Sequence, residues 1–313
     1  MRAVTIREQQ IVIEEHADPV PGAGQVLVRV RAAGLNGADM MQRRGLYPAP
    51  PGSPPDIPGM ELAGEVAALG PGVERFDVGA RVMAIVGGGA QAELCLVHER
   101  QLMFVPAELD WTAAGGLPEV FATAHDAIFT QGELRTGERL LVHGGAGGVG
   151  TAAVQLGRAA GARVTATVRS ERHRDAVAEL GARVIAPEGF SDHGPFDVIL
   201  ELVGAPTMPD NLASLATGGR VSVIGVGAGA KSEVNLLALM GKRARIHGST
   251  LRARSLEDKA LVARRFEHEV LPLFESGELR VPIADTFPLD AAAAAYERFS
   301  GGGKLGKVVI VVQ

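Results

Sequence analysis

The sequence predicts an α/β chain in two parts: a compact, mostly β domain and a doubly wound parallel sheet. Three observations predict it. Glycines and prolines punctuate short runs of β-formers over the first ~120 residues. Beyond "LPEVFATAHDAIF" strands alternate with helices, which implies parallel strands covered on both faces. The first of those strands runs into a glycine cluster and then a helical stretch. A length of 313 residues suits two domains. The expected division is 1–119, completed by 257–313, and 120–256.

In the first part "QVLVRVRA" alternates, with Val26, Val28 and Val30 on one face and Leu27, Arg29 and Arg31 on the other. That is the pattern of a half-buried strand. "ELAGEV", "ARVMAIV" and "AELCLV" read as further strands between "GPG" and "GGG" turns.

In the second part "RLLVH" (139–143) is a strand and "TAAVQLGRAAG" a helix. Next come a strand "RVTATV", a helix "ERHRDAVAEL" stopped by Gly181, and a strand "RVIA". A strand "FDVILEL", a helix around "TMPDNLASLA" and strands "GRVSVIGV" and "ARIHGS" follow. After residue 256 a helix carries Val262, Phe266 and Val270 at four-residue spacing, and Gly277 stops it. The closing "KLGKVVIVVQ" is a strand expected to return to the β domain, because the parallel sheet already has six strands.

Composition excludes several function classes. A net charge of −5 argues against nucleic acid as the main partner. The single cysteine, Cys95, excludes an intrachain disulfide framework and a multi-cysteine zinc site, and fits a reducing compartment. No stretch has the ~18 apolar residues of a membrane span, and "MRAVTIREQQIVIEE" lacks a signal-peptide run. The expectation is a cytoplasmic enzyme.

Residues 143–150, "HGGAGGVG", satisfy G-x-G-x-x-G through Gly145, Gly147 and Gly150, between a strand and a helix as the motif requires. In that reading Gly145 permits the tight turn and Gly147 close approach to a pyrophosphate. Gly150 permits helix–strand packing. The backbone from Gly145 through Ala146, Gly147, Gly148 and Val149 to Gly150 then offers N–H groups at the positive end of a helix.

The residue nineteen after Gly150 is Arg169, and no acid stands at the end of the second strand to bond a ribose 2′-hydroxyl. Arg169, Ser170, Arg172, His173 and Arg174 cluster there instead. A guanidinium and a hydroxyl suit a 2′-phosphate, which favours NADPH over NADH. The competing reading is a helix N-cap at Ser170 followed by a solvated basic face.

A β domain, a nucleotide domain and a returning strand together resemble the medium-chain dehydrogenase/reductase superfamily. Within it the chain resembles the zinc-independent NADPH:quinone oxidoreductases. The segments that carry the likeness are "AAGLNGADMMQRRGLYPAPPG", "PGMELAG", "LPEVFATA", "HGGAGGVG", "GGRVSVIG", "GSTLRARS" and "GKLGKVVI". The resemblance implies a GroES-like β domain, a Rossmann domain binding NADPH, an active-site cleft between them and a homodimer. It adds Thr123, near the nicotinamide, and Gly225 to the cofactor residues; Thr123 also reads as an ordinary helix-interior threonine. Two departures stand out. His173 replaces the lysine common in relatives, and the segment 182–200 is shorter, with Ala186 and Pro187 where relatives place a helix and an aromatic residue.

The zinc-dependent branch of that superfamily places cysteine and histidine where this chain has Asn36 and Met60. Glu61 alone cannot supply the three or so ligands of a catalytic zinc. His98, His125 and His247 are expected to be hydrogen-bonded structural residues, and no metal is expected. Glu61, in "IPGMELAG", is expected to be paired or hydrogen-bonded, because a lone carboxylate between glycines is otherwise costly to bury.

Without a metal, a side-chain donor must stabilise the oxygen of the reduced carbonyl. Asn36 offers an amide to orient ribose or substrate, or is a turn asparagine. Tyr47 offers a phenol as hydrogen-bond or proton donor, or is an ordinary loop tyrosine. In related enoyl thioester reductases a tyrosine at this place is the proton donor. Arg252 and Arg254 line the cleft entrance or a dimer contact, or form a solvated basic loop. The expected function is NADPH-dependent reduction of a quinone or other α,β-unsaturated carbonyl. The alternatives are an enoyl thioester reductase and an NADPH-binding protein with a non-enzymatic role.

Overall fold

The computed structural model describes residues 1–312; Gln313, the end of the last expected strand, lies outside them. The chain forms two compact units, residues 1–122 with 251–313 and residues 123–250.

The first unit opens with a hairpin of β1 (Arg2–Arg7) and β2 (Gln10–Glu15). It continues through β3 (Gln25–Gly34), α1 (Gly37–Arg43), β4 (Glu61–Leu69), β5 (Arg81–Ile85), β6 (Leu94–His98) and β7 (Leu102–Phe104). Two helices follow, α2 (Trp111–Gly116) and α3 (Pro118–His125). On β3 the alternation holds: Val26, Val28 and Val30 are buried and Arg29 is exposed. Each such valine contributes about 1.5–3 kcal/mol by leaving water.

The second unit contains β8 (Arg139–Val142), α4 (Gly148–Ala159), β9 (Arg163–Thr167), α5 (Arg174–Glu179), β10 (Arg183–Ile185) and β11 (Phe196–Glu201). Then come α6 (Met208–Ser214), β12 (Leu215–Val223), α7 (Leu236–Lys242) and β13 (Arg245–Gly248). All neighbouring strands are parallel, in the order β10-β9-β8-β11-β12-β13. The order reverses between β8 and β11, the switch point at which open α/β sheets bind ligands. β12 starts four residues earlier than "GRVSVIGV" suggests, because Leu215 pairs with Phe196, and it ends at Val223, before Gly225.

The chain returns to the first unit through α8 (Leu256–Glu269), α9 (Leu271–Glu275), β14 (Ile283–Pro288), α10 (Ala292–Ser300) and β15 (Lys307–Val311). The expected single helix over 256–277 is two. Pro272, in the first turn of α9, lacks an N–H and ends the ladder at Val270. The buried stripe is Ala263, Phe266 and Val270, whereas Val262 is only half-buried. The last strand does return to the β sheet, as β15 pairs parallel with β14 and antiparallel with β3. No helix among the described residues is long and apolar enough to cross a membrane.

Candidate functional site

Two groups of residues carry chemistry, one in each unit. In the second unit β8 buries Leu140, Leu141 and Val142 completely, which fixes where its end delivers the chain. The left-handed residue of the turn is Gly144, at φ +64°, rather than Gly145 as the motif suggested. Gly145 is constrained by space instead: a Cβ there would lie 2.8 Å from the Ala166 Cβ. A Cβ on Gly150 would collide with the Gly144 carbonyl, so that glycine seats α4 on the turn. The close approach of α4 to the sheet is at Gly157, where a Cβ would meet Leu140 Cδ2 at 2.7 Å.

Gly147 is the N-cap of α4, and the ground over it is open, with only the Gly144 carbonyl at 3.4 Å from a Cβ. Thr151 N–H takes the Gly147 carbonyl at 2.8 Å. The N–H groups of Gly148, Val149 and Gly150 precede it in the first turn and have no intrahelical acceptor. No acidic side chain stands in that turn, so the positive end of the helix dipole is uncompensated. Gly225, just past β12, gives its N–H to the Glu201 carbonyl at 3.0 Å, and a Cβ there would meet the Leu202 carbonyl at 2.5 Å.

The basic segment follows β9. Arg169 is exposed, and its guanidinium has no partner among the described residues. Ser170 takes the N-cap position of the short 3-10 turn Glu171–His173, but its hydroxyl makes no capping hydrogen bond. Arg174 reaches the Val168 carbonyl (3.3 Å) and, weakly, Glu171 (3.4 Å). His173 Nε2 accepts from Arg172 Nε at 3.1 Å. Thr123 is buried within α3.

In the first unit Glu61 is fully buried and is answered by Lys307, which sequence reasoning missed. Lys307 Nζ donates to Glu61 Oε1 (2.6 Å), Asn36 Oδ1 (2.7 Å) and the Leu35 carbonyl (2.7 Å), satisfying all three ammonium protons. Asn36 Nδ2 donates to the same Glu61 oxygen at 2.8 Å, and Glu119 N–H to Oε2 at 2.8 Å. Asn36 was expected to present its amide to cofactor or substrate. The structure commits both ends of that amide to Lys307 and Glu61. A signal for Lys307 was present: a lysine interrupting the apolar end of "KLGKVVIVV" needs a buried anion.

Asp39 lies close by, fully buried, accepting Asn36 N–H (2.8 Å) and Gly59 N–H (3.3 Å). Burial pushes its carboxyl up to about 6, against the pull of the Asn36 N–H, Lys307 and Arg252. Arg252 is not part of a solvated basic loop, because it is only 4% exposed. Its guanidinium donates to the Gly87 carbonyl (2.7 Å), the Tyr47 carbonyl (3.1 Å) and Gln42 Oε1 (2.5 Å).

The same guanidinium lies 5.2 Å from the Tyr47 ring centroid. Tyr47 is half-buried, and its hydroxyl has no partner among the described residues. Burial raises its pKa; Arg252 opposes the rise and Glu119 adds to it. The other tyrosine, Tyr296, is a core residue whose hydroxyl donates to Gln91 Oε1 at 2.9 Å.

The histidines are engaged elsewhere. His98 accepts Arg100 N–H (3.3 Å), His247 bonds Ser222 (2.7 Å) and His125 packs on Phe129. Among the described residues no three His, Cys, Asp or Glu side chains come together as a metal site. Asn36 and Met60 are poor zinc ligands, and Glu61 is held by three donors, so this donor set does not fit a catalytic zinc.

Comparison with known proteins agrees in both halves. Residues 22–131 match the alcohol dehydrogenase GroES-like domain family and residues 148–266 the zinc-binding dehydrogenase family. A quinone oxidoreductase of Rattus norvegicus is 32% identical over 94% of this chain and 91% of its own length. An acryloyl-coenzyme A reductase of Metallosphaera sedula is 29% identical over 99% of each chain. Among solved structures, the mycobacterial protein Rv1454c complexed with NADPH superposes with a TM-score of 0.88, at 27% identity over 99% of each chain.

Proposed function

Because this chain belongs to the quinone oxidoreductase family of the medium-chain dehydrogenases/reductases, we propose that it is an NADPH-dependent reductase of quinones or other α,β-unsaturated carbonyls. The observation that carries the cofactor choice is the end of β9, where an unpartnered Arg169 and an uncommitted Ser170 hydroxyl stand in place of an acid. Bound there, NADPH supplies a hydride to the conjugated acceptor.

The chain's own residues do the rest. The first-turn N–H groups of α4 hold the pyrophosphate. Arg169 and Ser170, with Arg174 beside them, hold the 2′-phosphate. Tyr47 holds the proton that the reduced oxygen takes up, and Arg252 fixes the backbone and ring of Tyr47. Asn36 is a positioning residue within the Lys307–Glu61 pair. A quinone needs Tyr47 least, because its reduced form is a stabilised aromatic anion that takes a proton from water. The reaction is zinc-independent in this reading, and the enzyme is cytoplasmic.

The match to an acryloyl-coenzyme A reductase supports a second reading, an enoyl thioester reductase, in which Tyr47 is indispensable. A homodimer belongs to the proposal. The outer edge of β13 is unpaired among the described residues, and Leu236, Leu237 and Met240 on α7 are 66%, 80% and 70% exposed. NADPH oxidation followed in parallel with a quinone, an enal and an enoyl thioester tests the assignment. Fastest turnover of the quinone supports it, fastest turnover of the thioester supports the second reading, and turnover of none rejects both.

A further inference from the structure

Under the glycine turn runs a chain of polar groups that the proposed reaction does not use. Glu201, at the end of β11, is fully buried. Its Oε1 accepts Val203 N–H (2.5 Å) and Gly204 N–H (2.8 Å). Its Oε2 accepts Thr207 Oγ1 and Asn211 Nδ2, both at 2.5 Å. Asn211 Oδ1 faces His143 Nε2 at 2.7 Å, and His143 Nδ1 faces Thr167 Oγ1 at 3.2 Å. Thr167 Oγ1 accepts Gly144 N–H at 3.2 Å, and the Thr167 carbonyl accepts Gly145 N–H at 3.0 Å. His143, Thr167 and Asn211 are each at most 2% exposed.

One end of this chain sets the direction of every bond in it. A carboxylate only accepts, so the Asn211 amide must turn its NH₂ to Glu201 and its oxygen to His143. That oxygen requires the proton on His143 Nε2. Nδ1 is then an acceptor and takes the Thr167 hydroxyl proton, which leaves the Thr167 oxygen to receive Gly144 N–H. Burial lowers the His143 pKa, opposed by Glu201 and the Asn211 bond, and the neutral ring satisfies every partner. Phe190 packs edge-on against the imidazole at 4.6 Å.

We propose that Thr167, His143, Asn211 and Glu201 are positioning residues for the cofactor: a buried, direction-fixed hydrogen-bond chain that holds the loops after β8, β9 and β11 in their binding form. By taking the Gly144 and Gly145 amides inward, Thr167 leaves the α4 amides as the ones that face a pyrophosphate. Thr167 also lies two residues before Arg169, so one side chain ties the pyrophosphate turn to the 2′-phosphate segment. Glu201 does the same for the far side, since its carbonyl holds Gly225 and its carboxylate holds Gly204. The inference rests on the NADPH reading of this cradle.

The test has two arms. In the cofactor-free protein, nitrogen-15 NMR of histidine should show His143 neutral with its proton on Nε2. An imidazolium or the Nδ1–H tautomer would overturn the chain, whether or not NADPH binds. In the second arm NADPH affinity is titrated by fluorescence. Thr167→Val, which keeps the shape and removes the hydroxyl, should weaken binding about tenfold, and His143→Phe similarly. Thr167→Ser should stay within about twofold of the parent, which shows that the hydroxyl matters and not the fold. Wild-type affinity in Thr167→Val would overturn the positioning role. If the unaltered protein binds no NADPH, it is the cofactor reading that fails, and the NMR arm still decides the chain. A variant too unstable to titrate leaves the decision to Thr167→Ser, for which a large loss of affinity contradicts the role.

Discussion

Lys307 and Glu61 form a buried ion pair, Nζ 2.6 Å from Oε1, between side chains 3% and 0% exposed. Neither ion has access to water, so each is tolerable only because the other is present. Lys307→Met should therefore cost about 3–5 kcal/mol in a urea melt, and Glu61→Gln a comparable amount. The double variant Lys307→Met, Glu61→Gln should be less destabilised than the sum, because no uncompensated charge remains. Strict additivity would mean the pair is not coupled.

The same pair bears on metal. With Glu61 held by Lys307, Asn36 and the Glu119 N–H, purified protein should contain no stoichiometric zinc, and chelation should leave quinone turnover unchanged. Elemental analysis reads this directly, and one zinc per chain would contradict it.

Tyr47 and Arg252 make a second prediction. Tyr47→Phe should leave quinone reduction within a few-fold of the parent but lower enone reduction by about 10²–10⁴, the usual weight of a general acid. Arg252→Met removes the bonds to the Tyr47 and Gly87 carbonyls and should follow the same split, with NADPH affinity unchanged. Equal losses on both acceptors would assign Tyr47 to packing.

Asp39 gives a pH signature. Its folded pKa is raised to about 6 by burial, whereas an unfolded aspartate ionises near ~3.9. Between those values the folded chain holds a proton that the unfolded chain has released, so this group's contribution is most favourable below ~4 and falls as pH rises to ~6. The penalty above that window is of order 3 kcal/mol. Asp39→Asn should gain stability relative to the parent across the window, measured by denaturant titration at each pH. Parallel curves would show that Asp39 ionises normally.

Much of this was legible in the sequence, and what was not has a physical reason. The six parallel strands show in their local pattern of apolar runs and helices, and Val26, Val28 and Val30 declare a buried face by alternation alone. The glycine cluster declares a turn but not which glycine is left-handed, because Gly144 and Gly145 are adjacent and identical. The helix break at Pro272 was readable from the proline itself. Lys307 was not placed with Glu61, since the partners lie 246 residues apart and no periodicity links them. Arg252 looked like a surface arginine because burial of a guanidinium among carbonyls leaves no trace in neighbouring residue types.

Arg169 carries the cofactor preference. Arg169→Ala should raise the apparent KM for NADPH about 10–100-fold, the loss of a charge-assisted bond or two, and leave that for NADH nearly unchanged. Equal effects on both cofactors would return the residue to a solvated basic face.

NADPH-dependent quinone reduction without zinc is tested by kcat/KM for NADPH against NADH, with a single quinone, on chelator-dialysed protein. Quinone-dependent oxidation of NADPH should proceed with at least a ~10-fold preference over NADH, the weight of one charge-assisted contact. Preference for NADH, or turnover that appears only when zinc is restored, would contradict it.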